Sequence, residues 1–427
     1  MFTGYKQVLE YLFSTLPMYQ RVGAIAYKKD LTNTRALCEV LGNPHHKFKS
    51  VHVGGTNGKG SSSHMLAAIL QSAGYKTGLY TSPHLKSFTE RIRINGKEIA
   101  EAYVVSWVNR MQPVLERVKP SFFETTVAMA FDYFATEQVD VAVIEVGLGG
   151  RLDSTNVISP VVSLITNIGF DHMDMLGDTL DKIAFEKAGI IKQNTPAVIG
   201  KHHGETDEVF KHKAAQQQAP VFFAEDEYYA EGPVNCLSLY KNKNVLFTGI
   251  NLSLKGAYQK KNIPGVMKTI DVLREQGFQI SDEAIIQGLE KTTELTGLKG
   301  RWQTISEKPL VICDTAHNED GIREVVQLIA QQPFSRLFIV LGMVADKQHD
   351  KILQLLPRQA HYIFCEANIP RALPAEQLAQ KASMHGLTGE VVKNVNEALA
   401  HARSLAHIDD FIFIGGSTFV VAELNEL

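Results

Sequence analysis

The sequence has few cysteines and no long hydrophobic run. Its four cysteines lie far apart among 427 residues, and none belongs to a Cys-x-x-Cys pair. This spacing argues against a disulfide framework and a cysteine-based zinc site, and it favours reduced, buried thiols. No segment reaches the length of a membrane span, and acidic residues interrupt the N-terminus where a signal sequence would be apolar. We therefore expect a cytoplasmic protein.

The sequence also lacks an excess of charge of either sign. There are 43 Lys and Arg against 46 Asp and Glu, the formal net charge is −3, and no long basic run is present. Nucleic acid and membranes are therefore not expected as partners, and any phosphate site must be local. Hydrophobic residues make up 44% of the chain, enough for a large core in two or more domains. We expect a monomer.

Strand-like runs alternate with segments of helical spacing in the first part of the chain. The predicted strands are 77–80, 139–146 and 161–166, and the predicted helices lie near 60–74, 100–117, 123–137 and 179–192. This alternation predicts an α/β fold with a doubly wound, mostly parallel sheet. Residues 225–255 form short, irregular segments that are rich in turns, which indicates a small antiparallel flap.

A second alternation follows two helical segments near 258–276 and 281–292. Glycines at 297 and 300 interrupt the pattern, and strand-like runs then recur at 310–313, 337–341, 362–365 and 411–414. We place a domain boundary there. The prediction is a catalytic domain at 1–296 and a smaller, Rossmann-like α/β domain at 297–427.

The most informative stretch runs from Val51 to Ser63, where an apolar strand breaks into a glycine-rich turn that opens a helix. Backbone N–H groups of such a turn can surround an anion, Lys59 supplies a positive charge, and the helix directs its positive end to the same place. A tight turn without a ligand is the alternative. The candidate nucleotide contacts are Thr56, Asn57, Gly58, Lys59, Gly60 and Ser61.

Further polar residues follow the ends of predicted strands. Ser61, Ser82, Glu145 and His172 each come after a different strand. The carboxyl ends of parallel strands share one edge of a sheet, so these side chains should meet there. Hydroxyl, carboxylate and imidazole groups can bind Mg²⁺ when nucleotide oxygens and water complete the shell. Taken singly, each has another explanation: a salt bridge for the glutamate, and turn positions for the serine at 82 and the histidine.

At this point the sequence resembles the folylpolyglutamate synthase/dihydrofolate synthase family of the Mur ligase superfamily over essentially its whole length. The motifs that carry the resemblance are Gly55-Thr-Asn-Gly-Lys-Gly-Ser61, Ser82-Pro-His-Leu85, Glu90-Arg-Ile92, Glu145-Val-Gly-Leu-Gly-Gly-Arg-Leu-Asp153, Asp171-His172, Glu186-Lys-Ala-Gly189, Gly300-Arg-Trp302 and Asp314-Thr-Ala-His-Asn318. The last motif departs from the usual Asp-Gly-Ala-His-Asn-Pro, because Thr315 and Glu319 replace the glycine and the proline.

The resemblance implies an ATP-dependent amide ligase. Such an enzyme adds L-glutamate to dihydropteroate, to the glutamate tail of folates, or to both, through an acyl phosphate. One alternative is another amino-acid ligase of the superfamily. That reading is weakened because only about fifty residues precede the phosphate loop, too few for a UDP-binding domain. A nucleotide-binding switch without enzymatic activity is the other alternative.

The resemblance also implies roles for individual residues. Two Mg²⁺ ions are expected, one on Ser61 and Glu145 and a second on Ser82, Glu145 and His172. The expected ATP contacts outside the loop are Asn262 at adenine, Arg301 at the γ-phosphate, and Asp314 and His317 at ribose and phosphates. The alternatives are an exposed helical asparagine at 262 and a surface arginine beside a buried tryptophan at 301. The expected catalytic residues are Lys59, His172, Lys187 and Arg301.

Lys187 lies in the Glu186-Lys-Ala-Gly189 motif, whose lysine is commonly carbamylated in this superfamily. A carbamate would supply two oxygens to the second Mg²⁺, and it forms only from a neutral, desolvated amine. The alternative is a plain lysine paired with an acid. For the pterin ring, the resemblance points to Phe123 and Asp153, with core packing as an equal explanation for the phenylalanine. The sequence identifies no residues for L-glutamate.

Overall fold

The computed structural model describes residues 1–18, 30–345 and 349–427. It divides into two compact units: Met1–Ser253 with Gln259–Leu298, and Leu254–Tyr258 with Lys299–Leu427. The segment Leu254–Tyr258 therefore belongs to the second unit although it lies within the sequence of the first. Among the described residues, no helix is both long and apolar enough to cross a membrane.

The main sheet of the first unit has eight strands. They are β1 (Lys49–Gly54), β2 (Thr77–Tyr80), β3 (Ile92–Ile94), β4 (Lys97–Glu98), β5 (Val141–Glu145), β6 (Val162–Ile165), β7 (Ala197–Ile199) and β8 (Val221–Phe223). Their order is β4-β3-β2-β5-β1-β6-β7-β8. The pairs from β2 to β8 are parallel, and the two antiparallel pairs, β2–β3 and β3–β4, lie at one edge. The predicted α/β fold with a mostly parallel sheet is confirmed.

Helices connect these strands. In the described part of the first unit they are α1 (Tyr5–Thr15), α2 (Thr32–Val40), α3 (Lys59–Ser72), α4 (Glu101–Val118), α5 (Phe122–Thr136), α6 (Met173–Leu176), α7 (Leu180–Ala188), α8 (Gly204–Gln216), α9 (Ile263–Glu275), α10 (Asp282–Glu290) and α11 (Thr292–Thr296). Local sequence sets their starts. For example, α5 begins at a capping box in which Ser121 and Glu124 bond to each other's backbone N–H groups.

Two of the predicted helices differ from the structure at their ends. The helix in the segment predicted at 179–192 stops at Ala188. Gly189, which follows it, packs so closely on Arg151 that a Cβ there would lie 2.3 Å from the Arg151 Cα. The segment predicted from 258 begins as a short 3-10 helix, Ala257–Lys261, and α9 starts only after Asn262.

The predicted flap is a three-stranded antiparallel sheet of β9 (Tyr228–Glu231), β10 (Leu237–Lys241) and β11 (Asn244–Ile250). Asp271 on α9 fixes it to the first unit. This carboxylate accepts hydrogen bonds of 2.7 Å from the Tyr228 hydroxyl and from Lys241 Nζ. The flap is therefore tied directly to the helix that follows Asn262.

The second unit contains a six-stranded sheet. Its strands are β12 (Gln303–Glu307), β13 (Leu310–Cys313), β14 (Leu337–Leu341), β15 (His361–Phe364), β16 (Gly389–Val391) and β17 (Phe411–Gly415), in the order β12-β13-β17-β14-β15-β16. Only β12 is antiparallel to its neighbour. The described helices are α12 (Glu319–Ala330), α13 (His349–Leu353), α14 (Ala375–Ser383), α15 (Val395–Leu405) and α16 (Thr418–Glu423). This is the expected smaller α/β unit.

Candidate active site

The strand order brings four loops to neighbouring positions on one edge of the main sheet. Strands β2, β5, β1 and β6 are adjacent and parallel, so the loops that follow them emerge side by side. The ends of these strands and the loops after them carry Ser82, Glu145, the phosphate-loop residues 54–61 and the segment 166–172. The edge is the one at which open α/β sheets bind ligands.

The phosphate loop needs glycine for steric reasons. Gly55 and Gly58 have φ values of +137° and +81°, and a Cβ on Gly55 would lie 1.9 Å from Thr166 Oγ1. Asn167 holds the loop from β6, because its carbonyl accepts from Thr56 N at 3.0 Å and its Oδ1 accepts from Asn57 N at 2.8 Å. The loop is thus a preformed cradle of the kind that surrounds a phosphate.

The carbonyl oxygen of Gly55 accepts hydrogen bonds from two lysines. Lys59 Nζ lies 3.1 Å from it and 3.0 Å from the Thr56 carbonyl, and Lys187 Nζ lies 2.8 Å from the same Gly55 oxygen. The structure therefore joins the phosphate loop to the Glu186-Lys-Ala-Gly189 motif, 132 residues further along the chain. Two amines on one acceptor repel each other if both carry a charge.

Lys187 is buried, with 4% of its surface exposed. Burial, and after it the positive charge of Lys59, lowers the pKa of Lys187 from 10.5 to about 7, while Asp171 and Asp153 oppose the shift. A neutral amine is consequently well populated near neutral pH. This is the state that attack on CO₂ requires.

The predicted metal ligands are only partly linked by contacts. Glu145 ends β5, is nearly buried, and accepts from Ser82 N at 3.0 Å through Oε2. His172 has φ +50°, precedes α6, and its Nε2 lies 3.8 Å from Asp171 Oδ2. In the described residues, no three His, Cys, Asp or Glu side chains converge well enough to hold a metal ion. A metal here would need serine, carbamate or nucleotide oxygens as well.

Ser61 and Asn262 are linked through Gln259, a residue that the sequence analysis missed. Gln259 is fully buried, donates from Nε2 to Ser61 Oγ at 3.1 Å and accepts from Asn262 Nδ2 at 2.8 Å. Asn262 also lies against the phosphate loop, because a Cβ on Gly58 would lie 2.2 Å from Asn262 Oδ1. Only three-dimensional folding brings these residues together, so spacing alone gives no signal for Gln259.

The two candidate pterin residues flank the loop after β5. The Phe123 ring covers Gly147 so closely that a Cβ there would lie 2.4 Å from Phe123 Cζ. Asp153 is buried, and its oxygens accept from Leu148 N at 2.8 Å and from Thr155 N at 3.0 Å. Burial raises the pKa of Asp153, and these hydrogen bonds oppose the shift. In this structure Asp153 organises its own loop, a role that the sequence did not indicate.

Thr155 links Asp153 to His52 on β1 of the central sheet. Its Oγ1 donates to Asp153 Oδ1 at 2.5 Å, and His52 Nε2 on β1 lies 2.9 Å from the same Oγ1. The carboxylate can only accept, so the threonine proton points to it and His52 donates from Nε2. Burial lowers the pKa of His52 to about 3, which keeps the imidazole neutral.

The nucleotide candidates of the second unit are clustered around Asp314. This buried carboxylate accepts from the Tyr258 hydroxyl at 2.6 Å, from Trp302 N at 2.7 Å and from Ala316 N at 2.8 Å. Burial raises its pKa, and the Tyr258 hydrogen bond opposes the shift. Asp314 thus joins three separate stretches of chain.

Arg301 and His317 both contact Thr315. The Arg301 guanidinium donates to the Gly300 carbonyl at 3.3 Å and to Thr315 Oγ1, and His317 Nδ1 lies 3.0 Å from the Thr315 carbonyl. Thr315 occupies the position at which the sequence departs from the usual motif of the family that it resembles. The threonine hydroxyl is therefore a partner for the arginine that glycine could not provide.

Comparisons with known proteins match both units. Residues 53–267 match the model of the Mur ligase middle domain, and residues 300–418 match that of the Mur ligase, glutamate ligase domain. The dihydrofolate synthase/folylpolyglutamate synthase of Bacillus subtilis is 32% identical over 100% of this chain and 99% of its own length. The chain belongs to this family of Mur ligases. It is an ATP-dependent ligase that adds L-glutamate to a folate-type acceptor.

Solved structures of the family agree with this assignment. E. coli FolC in complex with DHPP and ADP has a TM-score of 0.87 and 29% identity, with 98% of this chain and 96% of that chain covered. The bifunctional folylpolyglutamate synthase/dihydrofolate synthase of Yersinia pestis, complexed with AMPPNP and a Mn ion, has a TM-score of 0.84 and 30% identity, with 98% and 97% covered. Family membership sets aside the other Mur ligases and the nucleotide switch as explanations.

Proposed function

We propose that this ligase performs both reactions of its family: the addition of L-glutamate to dihydropteroate and the extension of the glutamate tail of folates. ATP and a divalent metal ion are its cofactors. The observation that carries the proposal is the Gly55 carbonyl, which joins the phosphate-loop lysine to the buried amine of Lys187. Phe123 and Asp153, beside the loop after β5, support the dihydropteroate half.

The chemistry requires activation of a carboxylate. The bond between the γ-phosphorus of ATP and its bridging oxygen breaks, and a new bond forms from that phosphorus to the acceptor carboxylate. This gives an acyl phosphate and ADP. The amine of L-glutamate then attacks the acyl carbon, inorganic phosphate leaves, and the amine proton passes to solvent. The reaction depends mainly on positioning and charge neutralisation.

We assign the residues of this chain to those tasks. The backbone N–H groups from Thr56 to Ser61 hold the phosphates, and Lys59 leaves the Gly55 carbonyl to reach them. Arg301, Asp314 and His317 serve the γ-phosphate, ribose and phosphates, and Asn262 serves adenine. Ser61, Ser82, Glu145, His172 and the carbamate of Lys187 would hold two Mg²⁺ ions. When bound, Mg²⁺ neutralises negative charge on the phosphates and the carboxylate.

The modification of Lys187 follows from its burial. Its neutral amine forms a bond to the carbon of CO₂ and loses a proton, which gives an anionic carbamate. The charge at Nζ then changes sign, so the modified side chain can pair with Lys59 and a metal ion where the unmodified cation would repel them. The lowered pKa of Lys187, about 7, supports this step.

Three further parts of the proposal come from the sequence. The functional boundary is placed at 296/297, with the catalytic domain before it and the C-terminal ligase domain after it. A monomeric state and a cytoplasmic location complete the proposal.

The decisive experiment is product analysis with each acceptor. Purified protein is incubated with ATP, Mg²⁺ and L-glutamate, together with either dihydropteroate or a monoglutamyl folate, and product lengths are read by mass spectrometry. We expect one glutamate on dihydropteroate and further glutamates on the folate, with ADP release only when both acceptor and L-glutamate are present. Normal use of folate without any use of dihydropteroate would remove the dihydropteroate half of the proposal.

A further inference from the structure

Gln259 is a fully buried amide between two residues assigned to ATP. It lies in the 3-10 helix Ala257–Lys261, and its side chain has no exposed surface. A buried amide without partners is costly, so such a group is retained where both of its ends are bonded. Its two partners, Ser61 and Asn262, come from the start of α3 and the start of α9.

The direction of these hydrogen bonds determines what Asn262 can offer a ligand. Gln259 donates from Nε2 to Ser61, so the atom that it presents to Asn262 is Oε1. Asn262 must therefore donate to this oxygen from Nδ2. Its carbonyl oxygen Oδ1 then faces the Gly58 side of the phosphate loop. An acceptor at this position suits the exocyclic amino group of adenine. It does not suit guanine, which carries a carbonyl oxygen at the same place.

The other end of the amide acts on Ser61. The Gln259 N–H occupies one acceptor position of the Ser61 hydroxyl and so restricts the direction of the remaining lone pair. Partners of this kind orient groups that bind metal ions or phosphates. A single side chain thus constrains both the phosphate end and the base end of the nucleotide site.

We propose that Gln259 is a positioning residue that selects adenine nucleotides: its buried amide holds Asn262 with the carbonyl oxygen available to the adenine amino group, and it fixes the Ser61 hydroxyl. This inference rests on the proposed function, because it takes Ser61 and Asn262 as ATP contacts. It adds a residue that the family motifs found in the sequence do not contain.

The test is the binding of ADP and GDP, measured by calorimetry with a chelator present so that metal loading plays no part. Gln259→Met keeps the length of the side chain and removes both hydrogen bonds. We expect the ratio of the two dissociation constants to fall about tenfold, mainly through weaker ADP binding. The matched control Gln287→Met, at an exposed position on α10, leaves the ratio unchanged.

A double-mutant cycle separates positioning from general damage. In an Asn262→Ala background, Gln259→Met should cause no further loss of ADP preference, because its effect on the base passes through Asn262. Gln259→Met should weaken the nucleotide without the amino group, purine riboside diphosphate, no more than it weakens GDP, because neither loses more than the contribution of Ser61. An unchanged ADP/GDP ratio in Gln259→Met, or additive losses in the double mutant, would overturn the inference.

Two further measurements keep the test decisive. If Gln259→Met does not fold, Gln259→Glu retains the acceptor for Asn262 and loses the donor to Ser61, so it should keep the ADP preference while ADP binding weakens. Loss of the preference in that variant would contradict the inference. Failure of wild-type protein to bind ADP would instead reject the proposed function.

Discussion

Lys59 Nζ donates hydrogen bonds to the carbonyl oxygens of Gly55 and Thr56, which place its charge at the phosphate loop. We expect Lys59→Ala to lower ADP release about 10²- to 10³-fold with every acceptor, because one charge that stabilises the transition state is lost. The melting temperature should change little, since the side chain is half-buried. Lys182→Ala, on the exposed face of α7, is the control and should retain full turnover. Near wild-type turnover of Lys59→Ala would refute the nucleotide assignment.

Lys187 makes the activity of the enzyme sensitive to CO₂ and to pH. With its pKa near 7, lowered first by burial, the amine is about nine-tenths neutral at pH 8 and mostly protonated at pH 6. Carbamate formation should therefore fall as the pH drops through about 7. An ordinary lysine would lose its neutral form already below pH 10.5.

The modification can be observed directly by ¹³C NMR after addition of labelled bicarbonate. We expect one carbamate resonance that weakens with the pH dependence just described and is absent from Lys187→Ala. Small carboxylates at high concentration should partly restore the activity of that variant, because they supply the missing oxygens. An unmodified amine at Lys187 in active, CO₂-saturated enzyme would end the proposal and leave the ligase assignment intact.

At the scale of elements, a series of side-chain hydrogen bonds that begins on β1 stabilises the loop after β5. His52 and Thr155 together hold Asp153, and Thr155→Val removes the hydroxyl that joins them. The imidazole N–H would then be buried without a partner, and Asp153 Oδ1 would keep only the hydrogen bond from Thr155 N, at a cost of about 1–3 kcal/mol in the free energy of unfolding. Denaturant unfolding measures this loss. Thr155→Ser restores the hydroxyl and should recover most of the stability.

The same variant tests what the loop does for catalysis. If Asp153 contributes to the pterin site, Thr155→Val should raise KM for dihydropteroate several-fold while KM for ATP stays constant. Equal changes in both constants would indicate that the loop has only a structural role.

The main elements could be predicted because their burial makes the pattern plain. Strand β5 is buried on both faces, and its sequence is a nearly continuous apolar run. Helix α5 begins at a capping box. Strand β16, in contrast, is exposed along its length and carries no apolar signal. The N-terminal part of the segment predicted from 258 was wrong as an α-helix. There, long-range hydrogen bonds of Gln259 and Tyr258 favour a 3-10 turn over helical propensity.

The site was predictable where it follows strand ends and not where it depends on tertiary contacts. The positions of Ser82, Glu145 and the phosphate loop follow from strand order alone. The partners Gln259 and Tyr258 could not be found, because their hydrogen bonds to Ser61 and Asp314 span 198 and 56 residues of sequence. The contact between His52 and Thr155 likewise spans 103 residues. The sequence also gave no sign that the oxygens of Asp153 are engaged by their own loop.

At the scale of the whole molecule, the second unit depends on a tyrosine that lies some forty residues before the rest of that unit in the sequence. Tyr258 is partly buried against the core of that unit and donates to Asp314, which in turn accepts from the backbone N–H groups of Trp302 and Ala316. We expect Tyr258→Phe to lower the free energy of unfolding by about 1–3 kcal/mol, because a buried carboxylate loses a donor. Differential scanning calorimetry checks this. Tyr240→Phe, in the flap sheet, is the control and should leave the transition unchanged.

The position of Leu254–Tyr258 has a consequence for modularity. The chain passes from one unit to the other three times, after Ser253, after Tyr258 and after Leu298, so no single cut separates the units intact. A recombination event or an engineered fusion that exchanged residues 299–427 alone would leave behind the partner of Asp314. Successful exchange of C-terminal units between relatives therefore requires that residue 258 travel with them, or that the incoming unit tolerate its loss.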